Sequence, residues 1–276
     1  MISVLILTKN EEDNISRCLR SVKWSDDRVV FDSFSTDRTV EIAVAEGARV
    51  IQHQFVDYGS QREAARIQVS YRHEWVLAID ADETPDLDLV EELSHIVRQD
   101  KRHNAYRVRR KDHFMGCWIK HSTLYPSWFV RFYRHKDIHY ERRSVHEYPT
   151  VQGDIGELQG HLLHHNFSKG TGEWFRRHVR YAELEAVENL KSLAHRGVVW
   201  QGLFARDPII RRRTLKELSF RLPCRPLLRF LYMYFLRLGF LDGVPGYHYC
   251  RLLAIYEYMI VLKMKEIRRR QTGLPL

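Results

Sequence analysis

Acidic side chains crowd the end of the apolar segment "VLAIDADETPD", residues 76–86, in a chain whose formal charge is +9. Asp80 and Asp82 are two residues apart, and an extended backbone directs such side chains to the same side. Paired oxygen ligands favour Mg²⁺ or Mn²⁺, which commonly also bind the diphosphate of a substrate. The spacing therefore predicts a divalent-cation site at Asp80 and Asp82.

The alternative is an ordinary acidic helix start, with Thr84 as the N-cap and Pro85 in the first helical position. That interpretation explains Asp86 and Asp88, which would lie in the first turn of the helix. It does not explain the two preceding carboxylates, which end an apolar strand.

Two further polar residues stand where they could contact a nucleotide. Asp32 ends the apolar segment "VVFD" and could accept hydrogen bonds from a ribose or a base, although a turn that bonds its own backbone is an equal alternative. Arg62 lies one turn into a predicted helix and could reach a phosphate, whereas a solvated helix arginine is the commoner case.

The histidines supply two other candidate groups. His146 and Glu147, in "RRSVHEYP", form a compact acid and base pair: a glutamate can deprotonate a hydroxyl, and a histidine can complete a metal shell. His161, His164 and His165, in "HLLHHN", lack the HExxH spacing of a zinc hydrolase helix.

These residues fall on a regular alternation of strands and helices over the first 80 or so positions. "ISVLILT" is continuously apolar, as in a strand buried on both faces of a parallel sheet. The following helix has Asn10 as a possible N-cap, and the next has Ser35 or Thr36. The alternation predicts an α/β fold with a mostly parallel sheet flanked by helices, in which ligands bind at the carboxyl ends of the strands.

Beyond this alternation, the pattern changes twice. Between residues 104 and 169 the helical period disappears, and we expect irregular strands and loops that close over the site. From residue 171 onward helical periodicity returns, so we predict a catalytic domain at 1–170 and a helical C-terminal region at 171–276. Residues 201–276 hold 15 Lys plus Arg against 5 Asp plus Glu.

This basic tail places Arg225, Arg229 and Arg237 at multiples of four, which predicts one helical face. Such an aromatic and basic helix can lie in a membrane interface, whereas the alternative is a core-packing helix with solvated arginines.

The four cysteines form no CxxC pair, which excludes a CxxC zinc site and favours a reducing compartment. The start is not typical of a signal peptide, and no apolar stretch is long enough to span a bilayer.

The order "TKNEE", "DSFSTD", "QREAA" and "DADE" resembles the nucleotide-sugar half of an inverting family 2 glycosyltransferase of the GT-A (Rossmann-like) fold. The resemblance is strongest over residues 1–85. The "VHE" segment and "LRLGFLDGVPG" are similar to the bacterial branch that contains lipopolysaccharide core glucosyltransferases.

The resemblance implies a role for each matching residue. Thr8, Asn10 and Glu11 would border the base and ribose, Asp32 would accept hydrogen bonds from the uracil or ribose, and Arg62 would lie near the diphosphate. Asp80 would approach the ribose or the metal shell, and Asp82 would bind the metal directly.

For the catalytic base, an "ED" motif is absent after "DADE", so Glu147 is the substitute and His146 the alternative. Phe34 stands where the family usually has a small residue.

The resemblance therefore implies metal-assisted transfer of a hexose, such as glucose, from a UDP-sugar to a lipid-linked or lipopolysaccharide-core saccharide. It also implies a cytoplasmic protein, peripheral on the inner face of the cell membrane, whose tail meets an anionic membrane surface. No nucleic acid is expected as a partner. The alternatives are a nucleotidyltransferase acting on sugar phosphates, although "TKNEED" replaces the usual Gly-rich loop, or a nucleic-acid-binding protein that uses the tail.

Overall fold

The computed structural model describes residues 1–99, 102–140, 149–195, 211 and 224–275. The chain divides into two compact units. The first contains Met1–His113 and Leu124–Ser168, and the second contains Phe114–Thr123 and Lys169–Leu276.

Strands and helices alternate through the first part of the chain, as the sequence predicts. The helices there are α1 (Glu12–Ser21), α2 (Thr39–Ala45), α3 (Tyr58–Gln68) and α4 (Leu87–Gln99). The strands are β1 (Ile2–Thr8), β2 (Asp27–Asp32), β3 (Arg49–Gln52), β4 (Trp75–Asp80), β5 (Glu83–Pro85), β6 (His103–Phe114), β7 (Cys117–Trp118), β8 (Trp128–Arg134), β9 (Ile138–Tyr140), β10 (Pro149–Val151) and β11 (Asp154–His164).

The central sheet has the order β3-β2-β1-β4-β8-β6-β11-β5. Strands β3, β2, β1 and β4 are parallel, as are β6 and β11, whereas β8 is antiparallel to both of its neighbours. Strands β9 and β10 form a separate antiparallel pair. The expected mixed α/β architecture, with a mostly parallel sheet flanked by helices, is confirmed.

Strand β1 is apolar throughout because both of its faces are covered. Val4 and Ile6 pack with Ile15 and Leu19 of α1 on one side of the sheet. Leu5 packs on the other side, in the cluster that includes Ala65 of α3. Alternate residues of one strand therefore enter two hydrophobic layers, which fixes the register of the strand.

Of the irregular strands and loops predicted between residues 104 and 169, the described part contains strands: β6, β8 and β11 join the central sheet, and register shifts interrupt the β6–β8 and β6–β11 ladders. The arginines of β6 concealed the strand pattern, because two of them pack beside an aromatic ring of β8 while Arg107 remains exposed. Arg107 and Arg109 lie 5.3 and 5.2 Å from the ring centre of Trp128 on β8. Cation–π contacts of this kind allow a charged side chain to occupy a position that usually takes an apolar one.

The predicted start of helix α4 is also wrong. Thr84 and Pro85 belong to strand β5, which pairs with the end of β11. Asp86 is the cap, since its Oδ1 accepts a hydrogen bond of 3.0 Å from the backbone N–H of Leu89. The same Oδ1 accepts one from the N–H of His161, so Asp86 joins the helix to the sheet.

The caps predicted for the first two helices differ from the observed ones as well. Asn10 has a positive φ of 55° and precedes Glu11, the residue at the N-cap of α1. Helix α2 begins at Thr39, so Ser35 and Thr36 lie before it and bond elsewhere. A capping residue must immediately precede the first helical turn, and these three side chains instead connect two loops.

In the second unit, the described residues from Gly170 onward are mainly helical, whereas the segment Phe114–Thr123 contains strand β7. It contains α5 (Gly170–His195), α6 (Arg225–Leu231), a π-helical turn (Tyr232–Leu236), a 3₁₀ turn (Gly239–Asp242) and α7 (Gly243–Gln271). Helices α5 and α7 pack through Ala182, Ala186, Ile260 and Met264. Among the residues described, none of the helices has the length and apolarity that crossing a bilayer requires.

The arginines of this region do not share one helical face. Arg225 is buried and pairs with Glu257 at 2.6 Å, whereas Arg237 follows the π-helical turn. The π-helical turn changes the helical period, so a spacing of four no longer keeps residues on one side.

Candidate active site

Polar residues meet at the carboxyl ends of strands β2, β1 and β4. Thr8 lies opposite Asp32 in the β1–β2 register, and Leu7 lies opposite Asp80 in the β1–β4 register. The structure therefore brings together the ends of the three segments that the sequence singled out. Clefts at this edge of a parallel sheet are common ligand sites.

Asp32 is fully buried, and its carboxylate is held by four hydrogen bonds. Thr8 Oγ1 and Ser35 Oγ donate to Oδ1 at 2.9 and 2.5 Å. The Ser35 N–H and Gln52 Nε2 donate to Oδ2 at 2.8 and 3.2 Å. The bonds from Ser35 belong to the turn that follows β2, whereas the bonds from Thr8 and Gln52 hold Asp32 from the neighbouring strands.

The loop after β1 is tied to the loop after β2. Asn10 receives the Thr36 N–H on Oδ1 and donates its own N–H to Ser35 Oγ, both at 2.8 Å. Glu11 donates its N–H to Thr39 Oγ1 at 2.7 Å. The two loops therefore form one hydrogen-bonded wall beside Asp32. Phe34 adds an aromatic ring that is half exposed and has a positive φ of 53°.

Asp80 lies between two buried arginines. Arg62 of α3 donates to Oδ1 at 3.0 Å, and Arg131 of β8 donates to Oδ2 at 2.6 Å. Burial opposes ionisation of Asp80, but the positive charges of Arg131 and Arg62 outweigh it and hold the pKa of the carboxyl well below its usual range. Both oxygens of Asp80 are therefore engaged by guanidinium groups.

Glu83 extends this network below the surface. Its side chain is fully buried, and Oε2 accepts the Asp80 N–H at 3.0 Å. Oε1 lies 3.4 Å from Arg131 Nη2 and 3.7 Å from Arg110 Nη1. A buried carboxylate with two cationic neighbours rigidifies the turn that carries Asp80 and Asp82.

Asp82 faces His164, which the sequence analysis set aside because it lacks the HExxH spacing. Its Oδ2 lies 3.3 Å from His164 Nε2, and His164 Nδ1 lies 2.6 Å from Asp112 Oδ1. Burial and Arg110 disfavour the charged imidazole, but the hydrogen bonds to Asp112 and Asp82 prevail and raise the pKa of His164 to about 9. Burial opposes ionisation of Asp82 too, and the hydrogen bond to His164 lowers its pKa.

The sheet register explains why His164 and Asp112 were missed. His164 pairs with Asp112 across the parallel β6–β11 ladder and with Glu83 across the antiparallel β11–β5 ladder. These three residues come from segments far apart in sequence. The sequence did contain one indication: the apolar pair in "HLLHH" is followed by polar residues at the end of β11, just as "LAID" ends β4 in a carboxylate.

Among the described residues, no group of three or more His, Cys, Asp or Glu side chains has the arrangement of a complete metal shell. Asp82 and His164 bring one carboxylate and one imidazole close together. His146 and Glu147, the predicted catalytic pair, lie outside the described residues.

Comparison with known proteins identifies the family that these features suggest. Residues 3–152 match the family described as glycosyl transferase family 2. An uncharacterized glycosyltransferase of Rickettsia typhi is 27% identical over 96% of this chain and 87% of its own length. The lipopolysaccharide core biosynthesis glycosyltransferase LpsC of Rhizobium meliloti is 26% identical over 69% of this chain and 72% of its own length.

A solved structure also shows local likeness. Glucosyl-3-phosphoglycerate synthase from Mycobacterium tuberculosis, solved with Mn²⁺, uridine diphosphate and glucosyl-3-phosphoglycerate, aligns with a TM-score of 0.35 and 25% identity. The alignment covers 41% of this chain and 44% of that one.

Proposed function

The chain belongs to glycosyl transferase family 2, and we propose that it moves a hexose from a UDP-sugar to a lipid-linked saccharide with inversion. The observation that carries this proposal is the convergence of Thr8, Asp32, Asp80 and Asp82 at the adjoining carboxyl ends of β1, β2 and β4. A nucleotide bound there would run from the β2 end toward the β4 end.

The base and ribose fit the β2 side of this edge. Asp32 already accepts four hydrogen bonds, which fill its acceptor sites, so accepting from a ribose hydroxyl or a uracil N–H would require one of these donors, such as the half-buried Ser35 hydroxyl, to be displaced. Asn10 and Glu11 would border the same pocket, because their loop is bonded to the loop of Asp32. Arg62 lies toward the β4 side, where the diphosphate would be.

The residues present fit a divalent cation. Asp82 Oδ2 and His164 Nε2 are 3.3 Å apart, comparable with the separation of about 3 Å between neighbouring ligands on a small cation. Because the pKa of His164 is raised to about 9, Nε2 carries a proton at neutral pH, and a cation would bind there only by displacing that proton. Mg²⁺ and Mn²⁺ commonly complete their shells with waters and substrate phosphates, so two protein ligands suffice. The imidazole favours Mn²⁺ over Mg²⁺, because nitrogen is a softer ligand than oxygen.

Asp82, with His164, is the better candidate for the direct ligand than Asp80. Both oxygens of Asp80 are bonded to guanidinium groups, which makes Asp80 the residue that positions Arg62 and Arg131. When bound, the cation would neutralise charge on the departing nucleoside diphosphate. Arg62 would add a second positive charge close to the same group.

The acceptor hydroxyl needs a base, and the proposal assigns this role to Glu147, with His146 as the alternative. The family membership and the "VHE" motif support the assignment. A lipopolysaccharide-core or other lipid-linked saccharide is proposed as the acceptor, supported by the similarity to LpsC.

Asp82→Asn tests the cation assignment. We expect release of UDP from a panel of UDP-sugars, measured with Mn²⁺ and a saccharide acceptor, to fall at least about 100-fold, because the neutral amide binds a cation poorly. The control is Asp88→Asn, since Asp88 is exposed on the first turn of α4. Turnover that stays unchanged in Asp82→Asn, or that persists in chelator, would reject the role of Asp82.

A further inference from the structure

Helix α7 has an exposed face that is largely apolar. Val244, Ile255, Tyr258 and Leu262 are between 39% and 63% exposed. Their spacing of 11, 3 and 4 residues places all four on one stripe, which also contains Arg251. An apolar stripe on a helix is normally buried against another surface, so this one indicates a site of interaction.

A groove continues the stripe toward helix α6. The groove has a volume of about 410 Å³ and lies between the two helices. Leu227 and Phe230 of α6 line one side, and Ile255 and Tyr258 of α7 line the other. Arg251 stands at the groove, where it donates to Tyr247 Oη at 3.1 Å. We call the stripe and the groove together the α6–α7 face.

The segment that carries the α6–α7 face has a net positive charge. Residues 224–275 contain nine Lys plus Arg and three Asp plus Glu. All three acidic side chains are engaged within the second unit. Asp242 accepts the N–H groups of His121 and Ser122, Glu257 pairs with Arg225, and Glu266 pairs with Lys263 and Arg270.

We propose that the α6–α7 face docks on an anionic lipid bilayer, with its apolar side chains among the acyl chains and Arg251 among the phosphates. Tyr258 suits the boundary, since its ring is apolar and its hydroxyl is polar. Arginine next to an apolar face is the composition of helices that lie in a membrane interface. A second copy of this chain is disfavoured as the occupant, because two positive faces would repel each other.

The test is co-sedimentation of the full-length protein with vesicles of phosphatidylcholine, with and without phosphatidylglycerol. We expect strong binding only with phosphatidylglycerol, and a steep loss of binding as salt is raised. In the double variant Ile255→Gln and Leu262→Gln, the partition coefficient should fall roughly 10-fold, because less apolar surface enters the bilayer. The matched control is Leu184→Gln, at an exposed leucine of helix α5 outside the α6–α7 face.

The proposal is overturned if wild-type protein fails to sediment with phosphatidylglycerol vesicles, or if the double variant sediments as well as wild type. Equal binding to neutral and anionic vesicles would contradict the proposed requirement for anionic lipid. If wild type is a dimer by size-exclusion chromatography and the double variant is a monomer, the face contacts a second copy and the proposal fails. Because vesicle binding needs no donor, its failure is distinguishable from failure of the proposed sugar transfer, which UDP release measures.

Discussion

Asp82, His164 and Asp112 form a chain of three side chains, in which the imidazole links two carboxylates. A carboxylate behind a metal-binding histidine fixes the ring orientation and the tautomer. Asp112, at 2.6 Å from Nδ1, is placed to direct Nε2 toward Asp82. We therefore assign Asp112 as a positioning residue, which would contact neither the cation nor the substrate.

Replacement of Asp112 by Asn should weaken Mn²⁺ binding about 10- to 100-fold, because His164 would lose the partner that orients it. The measurement is a calorimetric titration with Mn²⁺ in the presence of UDP. The control is Asp154→Asn, at an exposed aspartate that begins the same strand as His164. Equal Mn²⁺ affinity in wild type and Asp112→Asn would contradict the assignment.

The elements that carry these residues are held at fixed distances by close packing. Gly160 of β11 faces helix α4 so closely that an added Cβ would lie 2.4 Å from the Cα of Leu89. Only glycine allows the strand and the helix to approach to this extent. Asp86, which caps α4 and accepts the N–H of His161, bonds at the same contact.

Gly160→Ala should therefore lower the free energy of unfolding by about 1–3 kcal/mol, since the methyl group meets backbone atoms that cannot move independently. Chemical denaturation monitored by circular dichroism measures the change. Gly172→Ala is the matched control, because a Cβ there meets no atom within 4 Å and alanine is the better helix former. If Gly160→Ala lowers the free energy of unfolding no more than Gly172→Ala does, strand β11 and helix α4 can move apart at little cost, which contradicts the prediction.

At the scale of elements, the sequence predicts the alternating part of the fold and the helices that follow residue 170, but it does not predict the extent of the strands between them. Strands β1, β2 and β4 are continuous apolar runs followed by polar residues, so both their burial and their chemistry are visible locally. Strand β6 could not be recognised in this way, because Arg107 and Arg109 find their aromatic partner on β8. The pairing of Asp112 with His164 depends on a strand register that no local pattern encodes.

At the scale of the whole molecule, the carboxyl ends and the amino ends of the parallel strands differ in function. The carboxyl ends hold the candidate site, whereas the amino ends are fastened by Asp27 at the start of β2. Asp27 is buried and accepts from Ser3 Oγ at 2.6 Å, from the Arg72 N–H at 2.9 Å and from Arg49 Nη2 at 2.6 Å. One carboxylate thereby joins β1, β2, β3 and the segment that leads into β4.

The stability of the protein should depend on the ionisation of Asp27. Burial opposes ionisation, but the hydrogen bonds from Arg72, Ser3 and Arg49 hold its pKa below the usual value. A pKa that is lower in the folded state gives stability that is complete above the unfolded pKa of about 3.9. That stability is lost as the pH falls through the lower folded value.

Asp27→Asn should destabilise the protein by about 1–3 kcal/mol at neutral pH, because an amide accepts weaker hydrogen bonds from Arg49. It should also flatten the decrease in stability below about pH 4. Urea denaturation at a series of pH values measures both effects, with the exposed Asp13→Asn as control. Parallel pH curves for wild type and Asp27→Asn would refute the role of this carboxylate.

The parallel pairing of β6 with β11 has a consequence for biosynthesis. His164 meets Asp112 across a ladder that joins segments about 50 residues apart, and Asp82 precedes His164 by 82 positions. Contacts between such distant segments form late during folding, after the intervening chain has been ordered. On the ribosome, the nascent chain can order the β1–β4 framework early, but its candidate active centre stays incomplete until β11 has been translated and inserted into the sheet.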